Sequence, residues 1–240
     1  MNRFYLRQNI TGDSITISDA DQLHHIKDVL RSKAGDEVAV FDGSGVEYLC
    51  SIEKLSLREA VLAIKSKRPA GSPPVKITVA CAIPKKTSMD DIIDSLTQLG
   101  VDRIIPMETE RVIVKLDEAK KSARLERWRK IAQSAAEQSH RSTLPQVDPV
   151  SPFESVISGC RDFDVKLIPT LPASRPIREI VAAAKPQSII VLIGPEGDFT
   201  PQEVESALKA GFVPVSLGGT VLRVGTAAVA VGSYLTLALT

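Results

Sequence analysis

The sequence lacks long apolar runs, a secretory signal and a strong net charge. No hydrophobic stretch approaches the roughly 18 residues that a membrane-spanning helix needs. The first residues, MNRFYLRQN, contain no apolar segment of the kind found in a secretory signal. We therefore expect a cytoplasmic protein that makes no use of a membrane.

Cysteine and histidine are scarce, with three of each among the 240 residues. Cys50, Cys81 and Cys160 lie far apart, and none belongs to a CxxC pair. The histidines show no zinc-type spacing with them. We predict reduced structural thiols and no metal site.

The net charge is only +1, but it is distributed unevenly. Residues 111–141 contain nine Lys and Arg against four acidic residues. A local excess of positive charge can bind phosphate groups. A solvated helix face has the same composition, so the residues alone leave both readings open.

The segment KSKRPAGSPPVK, residues 65–76, has three prolines and the composition of a linker. The residues before it form short runs rich in β-branched side chains, interrupted by one short helix that Asp19 or Asp21 caps and that ends near Gly35. This pattern predicts a small β-barrel. We predict one domain over residues 1–70 and a second over residues 74–240.

Beyond the linker, strand-like and helix-like segments alternate. The predicted strands cover residues 75–83, 103–107, 165–170, 188–194 and 214–218. The predicted helices cover residues 88–100, 122–139, 175–184, 201–209 and 225–239. Such alternation is typical of an α/β domain with a mainly parallel sheet.

The segment IVLIGPEGDFTPQEV, residues 190–204, joins a buried strand to a helix through two glycines. Thr200 to Glu203 have the form of a capping box, with Pro201 as the first helical residue. In open α/β sheets, ligands bind at this carboxyl end of a strand, although an ordinary turn gives the same pattern. Neither a GxGxxG nor a GxxxxGK[ST] motif is present, which disfavours classical dinucleotide or nucleoside triphosphate binding.

Two further segments combine glycine or polar side chains with a helix end. In SLGGTVLRVGTAAVAVG, residues 216–232, a glycine loop and Arg223 precede a helix of small residues, which a buried C-terminal helix also explains. In AAEQSHRSTLPQV, residues 135–147, His140 and Arg141 could face phosphate or simply form a polar helix end.

Four segments in order resemble the RNA-methylating SPOUT enzymes of the ribosomal RNA small-subunit methyltransferase E type, which methylate uridine at N3. They are HHIKDVLR (24–31), ERVIVK (110–115), AAEQSHR…P (135–145) and LIGPEGDFTPQEV…LG…VLRVGTAA (192–228). The resemblance covers nearly the whole chain. It implies a PUA-like RNA-binding barrel, an α/β methyltransferase domain with a deep trefoil knot, and a homodimer formed through the C-terminal domain.

The resemblance also implies S-adenosylmethionine as the cofactor and 16S ribosomal RNA or the small ribosomal subunit as the partner. Carried over by position, the cofactor contacts are Leu167, Ile168, Pro169, Thr170, Ile193, Gly194, Pro195, Glu196, Gly197, Leu217, Gly218, Leu222, Arg223, Thr226 and Ala227. The predicted RNA contacts are His25, Arg31, Arg111, Lys115, Arg124, Arg127, Lys130, His140 and Arg141.

Methylation of uracil at N3 requires the loss of its proton, which a general base or a stabilising cation would assist. We assign the cationic role to Arg111 and Arg223 and count Glu196 among the catalytic candidates. Glu110 and Glu196 are the candidate bases, with Asp198 third. Because only 4% of residues are aromatic, shape and phosphate contacts are favoured over base stacking for RNA affinity.

The chain departs from the family pattern at a few positions. Val224-Gly225 stand where the family has Thr-Glu, Asp198 replaces a glycine, and Asp94 and Gln98 replace Lys and Glu. The change at 224–225 motivates a second hypothesis, a catalytically weakened RNA-binding ribosome-assembly factor on the same fold. A third hypothesis is an unrelated α/β enzyme for a small molecule.

Overall fold

The computed structural model describes residues 1–69, 71, 74–85, 88–112, 117–171, 173 and 175–239, apart from the side chain of Ser88. The chain divides into two compact units. The first comprises Met1–Ser72 and Ala136–Leu144, and the second Pro73–Ala135 and Pro145–Thr240. The first unit therefore includes a short segment that is distant in sequence from the rest of it.

The first unit contains a five-stranded sheet. Its strands are β1 (Asn2–Tyr5), β2 (Ser14–Ile17), β3 (Glu37–Phe41), β4 (Val46–Leu55) and β5 (Ala60–Pro69). They are ordered β1-β3-β4-β5-β2, with β1 parallel to β3 and the other pairs antiparallel. Among the described residues, no pairing joins β2 back to β1, so the predicted barrel is not closed by hydrogen bonds here.

A short helix, α1 (Ala20–His24), precedes β3 and continues as a π-helical turn over His25–Val29. The Asp19 side chain accepts the Gln22 N–H at 3.0 Å, as the predicted N-cap requires. The predicted end near Gly35 is wrong. The helix ends at Leu30, because Arg31 adopts a left-handed conformation with φ 51°.

Arg3 on β1 is a buried charge, with only 8% of its surface exposed. Its guanidinium pairs with Glu47 and lies 4.7 Å from the centre of the Phe41 ring. It also donates to the Arg141 carbonyl at 2.7 Å and to the Ser142 hydroxyl at 2.9 Å. Arg3 thereby ties the segment Ala136–Leu144 to the sheet of the first unit.

The second unit contains a seven-stranded parallel sheet. Its strands are β6 (Lys76–Ala82), β7 (Arg103–Glu108), β8 (Gln146–Val147), β9 (Ser151–Pro152), β10 (Val165–Pro169), β11 (Ser188–Ile193) and β12 (Val213–Val215). The order is β12-β10-β11-β6-β7-β8, with β9 also paired to β7. All these pairs are parallel, which confirms the predicted α/β architecture.

Six helices of the described residues accompany this sheet. They are α2 (Ser88–Gln98), α3 (Glu118–Gln138), α4 (Phe153–Ser158), α5 (Ile177–Ala184), α6 (Pro201–Lys209) and α7 (Val224–Leu239). The helix α4 was not predicted from the sequence, because six residues are too few to show a helical period. In the part of the chain that is described, no helix has both the length and the apolarity to cross a bilayer.

Apolar cores lie on both faces of the sheet, as expected for parallel strands. One core includes Val191, Ile193 and Leu235, and the other includes Ile190, Leu192 and Phe199. The helix α7 packs against α2 and β6. Gly232 permits this approach, because a Cβ atom there would lie 2.7 Å from Cδ2 of the fully buried Leu96.

We expect Gly232→Ala to lower the free energy of unfolding, measured by urea denaturation. Overpacking costs about 1–3 kcal/mol, which exceeds the gain in helix propensity of up to about 1 kcal/mol. Gly225→Ala is the matched control on the same helix, since its Cβ would lie 3.7 Å from Ile92. Equal stability of the two variants would contradict this account of the α2–α7 contact.

Candidate functional site

A cavity of about 310 Å³ lies where the chain leaves β10, β11 and β12. It is lined by residues 169–171, 193–198, 216–218 and 220–222, together with Val224 and Ala227. Because parallel strands end at the same edge, the three loops meet there although they are distant in sequence. The volume is at the lower end of the range of about 300–1,000 Å³ for small-molecule sites.

The cavity brings together eleven of the fifteen residues that the sequence predicts as cofactor contacts. These are Pro169, Thr170, Ile193, Gly194, Pro195, Glu196, Gly197, Leu217, Gly218, Leu222 and Ala227. The two segments GPEG and LG…L, which are about 20 residues apart in the sequence, thus lie against one space.

The other four predicted contacts do not line the cavity. Leu167 and Ile168 are fully buried in β10, where they belong to the cores on the two faces of the sheet. Arg223 and Thr226 are exposed. Six further residues line the cavity but were not predicted as cofactor contacts: Leu171, Asp198, Ser216, Thr220, Val221 and Val224. Most of them adjoin a predicted contact, and all but Leu171 lie within the quoted segments, so only the list of individual contacts was too narrow.

The loop after β11 is a tight turn held by its own backbone and side chains. The Asp198 N–H donates to the Pro195 carbonyl at 2.9 Å, and Asp198 has a φ of 60°. Its carboxylate accepts the Phe199 N–H at 2.8 Å. A Cβ atom on Gly194 would lie 3.1 Å from the Phe199 ring. Gly194 is therefore required mainly because the Phe199 ring leaves little room for a side chain, and less because a ligand needs that space in the cavity.

Glu196 lines the cavity, and its Oε1 accepts the Lys85 N–H at 3.0 Å. The contact joins the loop after β11 to the segment that follows β6. One carboxylate oxygen of this predicted catalytic residue thus has a structural role.

Arg111 lies on the outer side of the same loop and does not line the cavity. Its Nη1 donates to the Gly197 carbonyl at 2.6 Å. The neighbouring Glu110 N–H donates to Oε1 of Glu203 at 2.9 Å. The guanidinium has further donors beyond the one it uses here.

The predicted capping box of α6 is confirmed. The Thr200 N–H donates to Oε2 of Glu203 at 2.8 Å, and the Glu203 N–H donates to the Thr200 hydroxyl at 3.2 Å. The helix ends at the C-cap Ala210, and Gly211 follows it in a left-handed conformation with a φ of 86°.

Three of the predicted RNA contacts of the second unit lie on α3. Arg127 pairs with Asp90 at 2.6 Å, and the same carboxylate accepts the indole N–H of the buried Trp128 at 3.1 Å. Arg124 is half-buried and Lys130 is exposed. Lys115, a further predicted contact, lies outside the described residues.

The predicted RNA contacts of the first unit occupy unusual backbone. His25 begins the π-helical turn and is half-buried, and the exposed Arg31 follows that turn. His140 is exposed with a φ of 61°. The carbonyl of the neighbouring Arg141 accepts a hydrogen bond from Arg3. Non-glycine residues at positive φ are uncommon and are often found at functional positions.

Comparison with known proteins identifies the family. A family model of an RNA methyltransferase domain matches residues 71–236, and one of an RNA methyltransferase PUA domain matches residues 17–65. The ribosomal RNA small subunit methyltransferase E of Bacillus subtilis is 32% identical, over 95% of this chain and 93% of its own length. The chain belongs to this methyltransferase E family. The resemblance read from the four sequence motifs is therefore confirmed.

Solved structures of two similar proteins agree with this family assignment. The ribosomal RNA small subunit methyltransferase E of Neisseria gonorrhoeae, bound to S-adenosyl methionine, has a TM-score of 0.90 at 30% identity and covers 99% of this chain and 98% of its own. A methyltransferase of Legionella pneumophila, in complex with the same cofactor, has a TM-score of 0.89 at 29% identity, with 98% and 97% covered.

The described residues contain no group of three or more His, Cys, Asp or Glu side chains that could hold a metal ion. The three cysteines are buried and unpaired. Burial raises the pKa of Cys50 and of Cys160 to about 11. Burial, with a smaller effect from the negative charge of Glu196, raises the pKa of Cys81 to about 12.

These thiols should not react with Ellman's reagent in the native protein at about pH 8, because the raised pKa keeps them protonated, whereas a free cysteine has a pKa of about 8.5. All three should react in guanidinium chloride. Ala183→Cys places a thiol on the exposed side of α5 and is the positive control. Rapid labelling of Cys81 without denaturant would show that the sheet beside the cavity opens.

Proposed function

We propose that the chain transfers a methyl group from S-adenosylmethionine to N3 of a uridine in 16S ribosomal RNA, as free RNA or in the small subunit. The observation that carries this proposal is the cavity formed by the GPEG and LG…L loops in a member of the methyltransferase E family. Residues 1–70 would be the PUA-like RNA-binding domain and residues 74–240 the methyltransferase domain. The enzyme acts where ribosomal RNA is, in the cytoplasm.

The residues present fit S-adenosylmethionine. Ile193, Leu217 and Leu222 supply apolar walls that suit an adenine ring. Gly194 and Gly218 expose backbone groups, and nothing lies within 4 Å of a Cβ built on Gly218. The carboxylates of Glu196 and Asp198 are at the same cavity, where they favour a positively charged ligand.

When bound, the cofactor supplies an activated methyl group, so the protein mainly has to position the reactants and exclude water. Arg223, at the start of α7, and Arg111, on the Gly197 carbonyl, stabilise the negative charge that the uracil acquires when N3 loses its proton. Of the three candidate bases, Glu196 and Asp198 line the cavity and Glu110 does not. We assign proton removal to Glu196 or Asp198.

Val224 and Gly225, which stand where the family has Thr-Glu, do not obstruct the cavity. Val224 is buried and forms part of the apolar wall, and Gly225 leaves room for a Cβ against Ile92. An intact cavity favours an active enzyme over the weakened assembly factor.

RNA would be held by both units. The proposed RNA contacts of the PUA-like unit are His25, Arg31, His140 and Arg141. Those of the other unit include three basic residues of α3, which are Arg124, Arg127 and Lys130. Contacts of this kind bind phosphates and are weakened by salt. Lys115 and Arg111 complete the set.

We also propose the homodimer and the knot that the resemblance implies. The outer face of α7 exposes apolar side chains, with Leu237 78% accessible, which suits a subunit contact through the C-terminal domain. After β12 at the sheet edge, the chain lines the cavity and then packs α7 on β6, so it passes the ends of β10 and β11. This crossing is where a knot would be threaded.

The test is methyl transfer from labelled S-adenosylmethionine to small-subunit RNA from cells lacking the enzyme. Mass spectrometry of the nucleosides should give 3-methyluridine. Ala227→Leu, inside the cavity, should abolish cofactor binding in calorimetry, whereas Ala182→Leu, exposed on α5, should not. Wild-type protein that binds no cofactor, or that labels only acceptors other than RNA, would overturn the proposal.

Arg223→Ala should lower kcat by about 10²–10³-fold, the loss typical of one charge-stabilising donor. Because Arg223 is exposed, the melting temperature should stay near that of the wild type. Arg178→Ala, an exposed arginine on α5, is the control and should leave kcat within about twofold. Wild-type turnover by Arg223→Ala would remove this residue from the site.

A further inference from the structure

Glu203 is a buried carboxylate, 7% exposed, that serves two separate parts of the chain. Its Oε2 accepts the Thr200 N–H at 2.8 Å, which is its part in the capping box. Its Oε1 accepts the Glu110 N–H at 2.9 Å, although the two residues are 93 positions apart. A capping box needs only the first of these contacts.

Burying a carboxylate is unfavourable unless hydrogen bonds replace the lost water. Here each oxygen has its own backbone donor, and charge-assisted bonds of this kind are about twice as strong as neutral ones. The second bond is therefore a substantial restraint on the turn formed by residues 109–112, in which the Val112 N–H closes on the Thr109 carbonyl at 3.1 Å.

A second contact joins the same two segments. Arg111 follows Glu110 directly, and its Nη1 donates to the Gly197 carbonyl at 2.6 Å. A Cβ built on Gly197 would lie 3.4 Å from Cδ of Arg111, so the arginine side chain rests along that residue. The 109–112 turn thus contacts both Gly197 and Glu203, the two ends of segment 197–203. Of these two residues, Gly197 lines the cavity.

We propose that Glu203 is a positioning residue for methyl transfer. It holds the 109–112 turn against the loop after β11 and thereby keeps Arg111 on the Gly197 carbonyl. Glu203 does not line the cavity, so its effect passes through Arg111 and Gly197. The inference rests on the proposed function and assigns a role in that reaction to a residue outside the cavity.

Two variants separate this role from simple helix capping. In Glu203→Gln the side-chain amide has one acceptor oxygen, so one of the two N–H groups loses its partner. The cap is the more local contact and should persist, leaving the Glu110 N–H free. Thr200→Ala removes the other half of the capping box and leaves both carboxylate contacts in place.

The first readout is hydrogen exchange at the Glu110 amide, resolved to single residues by mass spectrometry. Exchange should be at least about tenfold faster in Glu203→Gln than in the wild type, the change expected from one charge-assisted hydrogen bond. In Thr200→Ala it should stay within about threefold. Equal acceleration in the two variants would mean that Glu203 only caps α6 and would overturn the inference.

The second readout is the split between kcat and KM. With the turn released, kcat for RNA methylation should fall at least about tenfold in Glu203→Gln, while KM for S-adenosylmethionine changes less. Thr200→Ala should keep its kcat. Faster exchange at Glu110 with an unchanged kcat would overturn the positioning role and leave a purely structural contact.

The outcomes separate this inference from the proposed function. If the wild type methylates no RNA, the proposed function fails, whereas the exchange experiment still tests the contact between Glu203 and Glu110. If Glu203→Gln does not fold, native-state exchange of the wild type decides instead. The Glu110 and Thr200 amides should then open together, and independent opening of Glu110 would overturn the inference.

Discussion

The site depends on parallel pairing of β10 with β11 on one side and β12 on the other. Parallel neighbours must end at the same edge, so the loops after these three strands are brought together by the sheet before any side chain contributes. β11 and most of β10 are buried on both faces, and the register is fixed by pairs such as Leu167 with Val191 and Val213. The position of the cavity is consequently as stable as the core of the domain.

The loops above this edge are held mainly by carboxylates that accept backbone N–H groups. Glu196 binds the segment after β6, Asp198 binds its own turn, and Glu203 binds the turn after β7. A carboxylate that accepts backbone donors orients the peptide as well as stabilising it. Acidic residues around the cavity therefore have two roles, shaping the loops and setting the local charge. A carboxylate in a conspicuous motif is not by that fact alone a catalytic group.

The parts of this structure that follow from local patterns could be predicted from the sequence. The capping box at Thr200 and the strand and helix alternation depend on spacing within short segments. The meeting of the GPEG and LG…L loops was implied by the family resemblance and agrees with the general geometry of parallel sheets. Contacts between distant segments could not be predicted. Nothing near Glu203 indicates that its second oxygen meets Glu110, and nothing near Arg3 indicates that a charged residue belongs inside β1. Short elements such as α4 were missed because too few residues carry their pattern.

The segment Ala136–Leu144 means that the first unit is discontinuous in the chain, which passes between the two units three times. A fragment cut at the proline-rich linker would keep Arg3 but lose the Arg141 carbonyl and the Ser142 hydroxyl that accept its hydrogen bonds. The Arg3 guanidinium would keep Glu47 and Phe41 but lose two of its hydrogen-bond acceptors, which is unfavourable for a buried charge. We therefore expect that truncation or gene fusion at the linker would not transfer the first unit intact. During synthesis on the ribosome, the first unit can gain these contacts only after residues 73–135 of the second unit have been made.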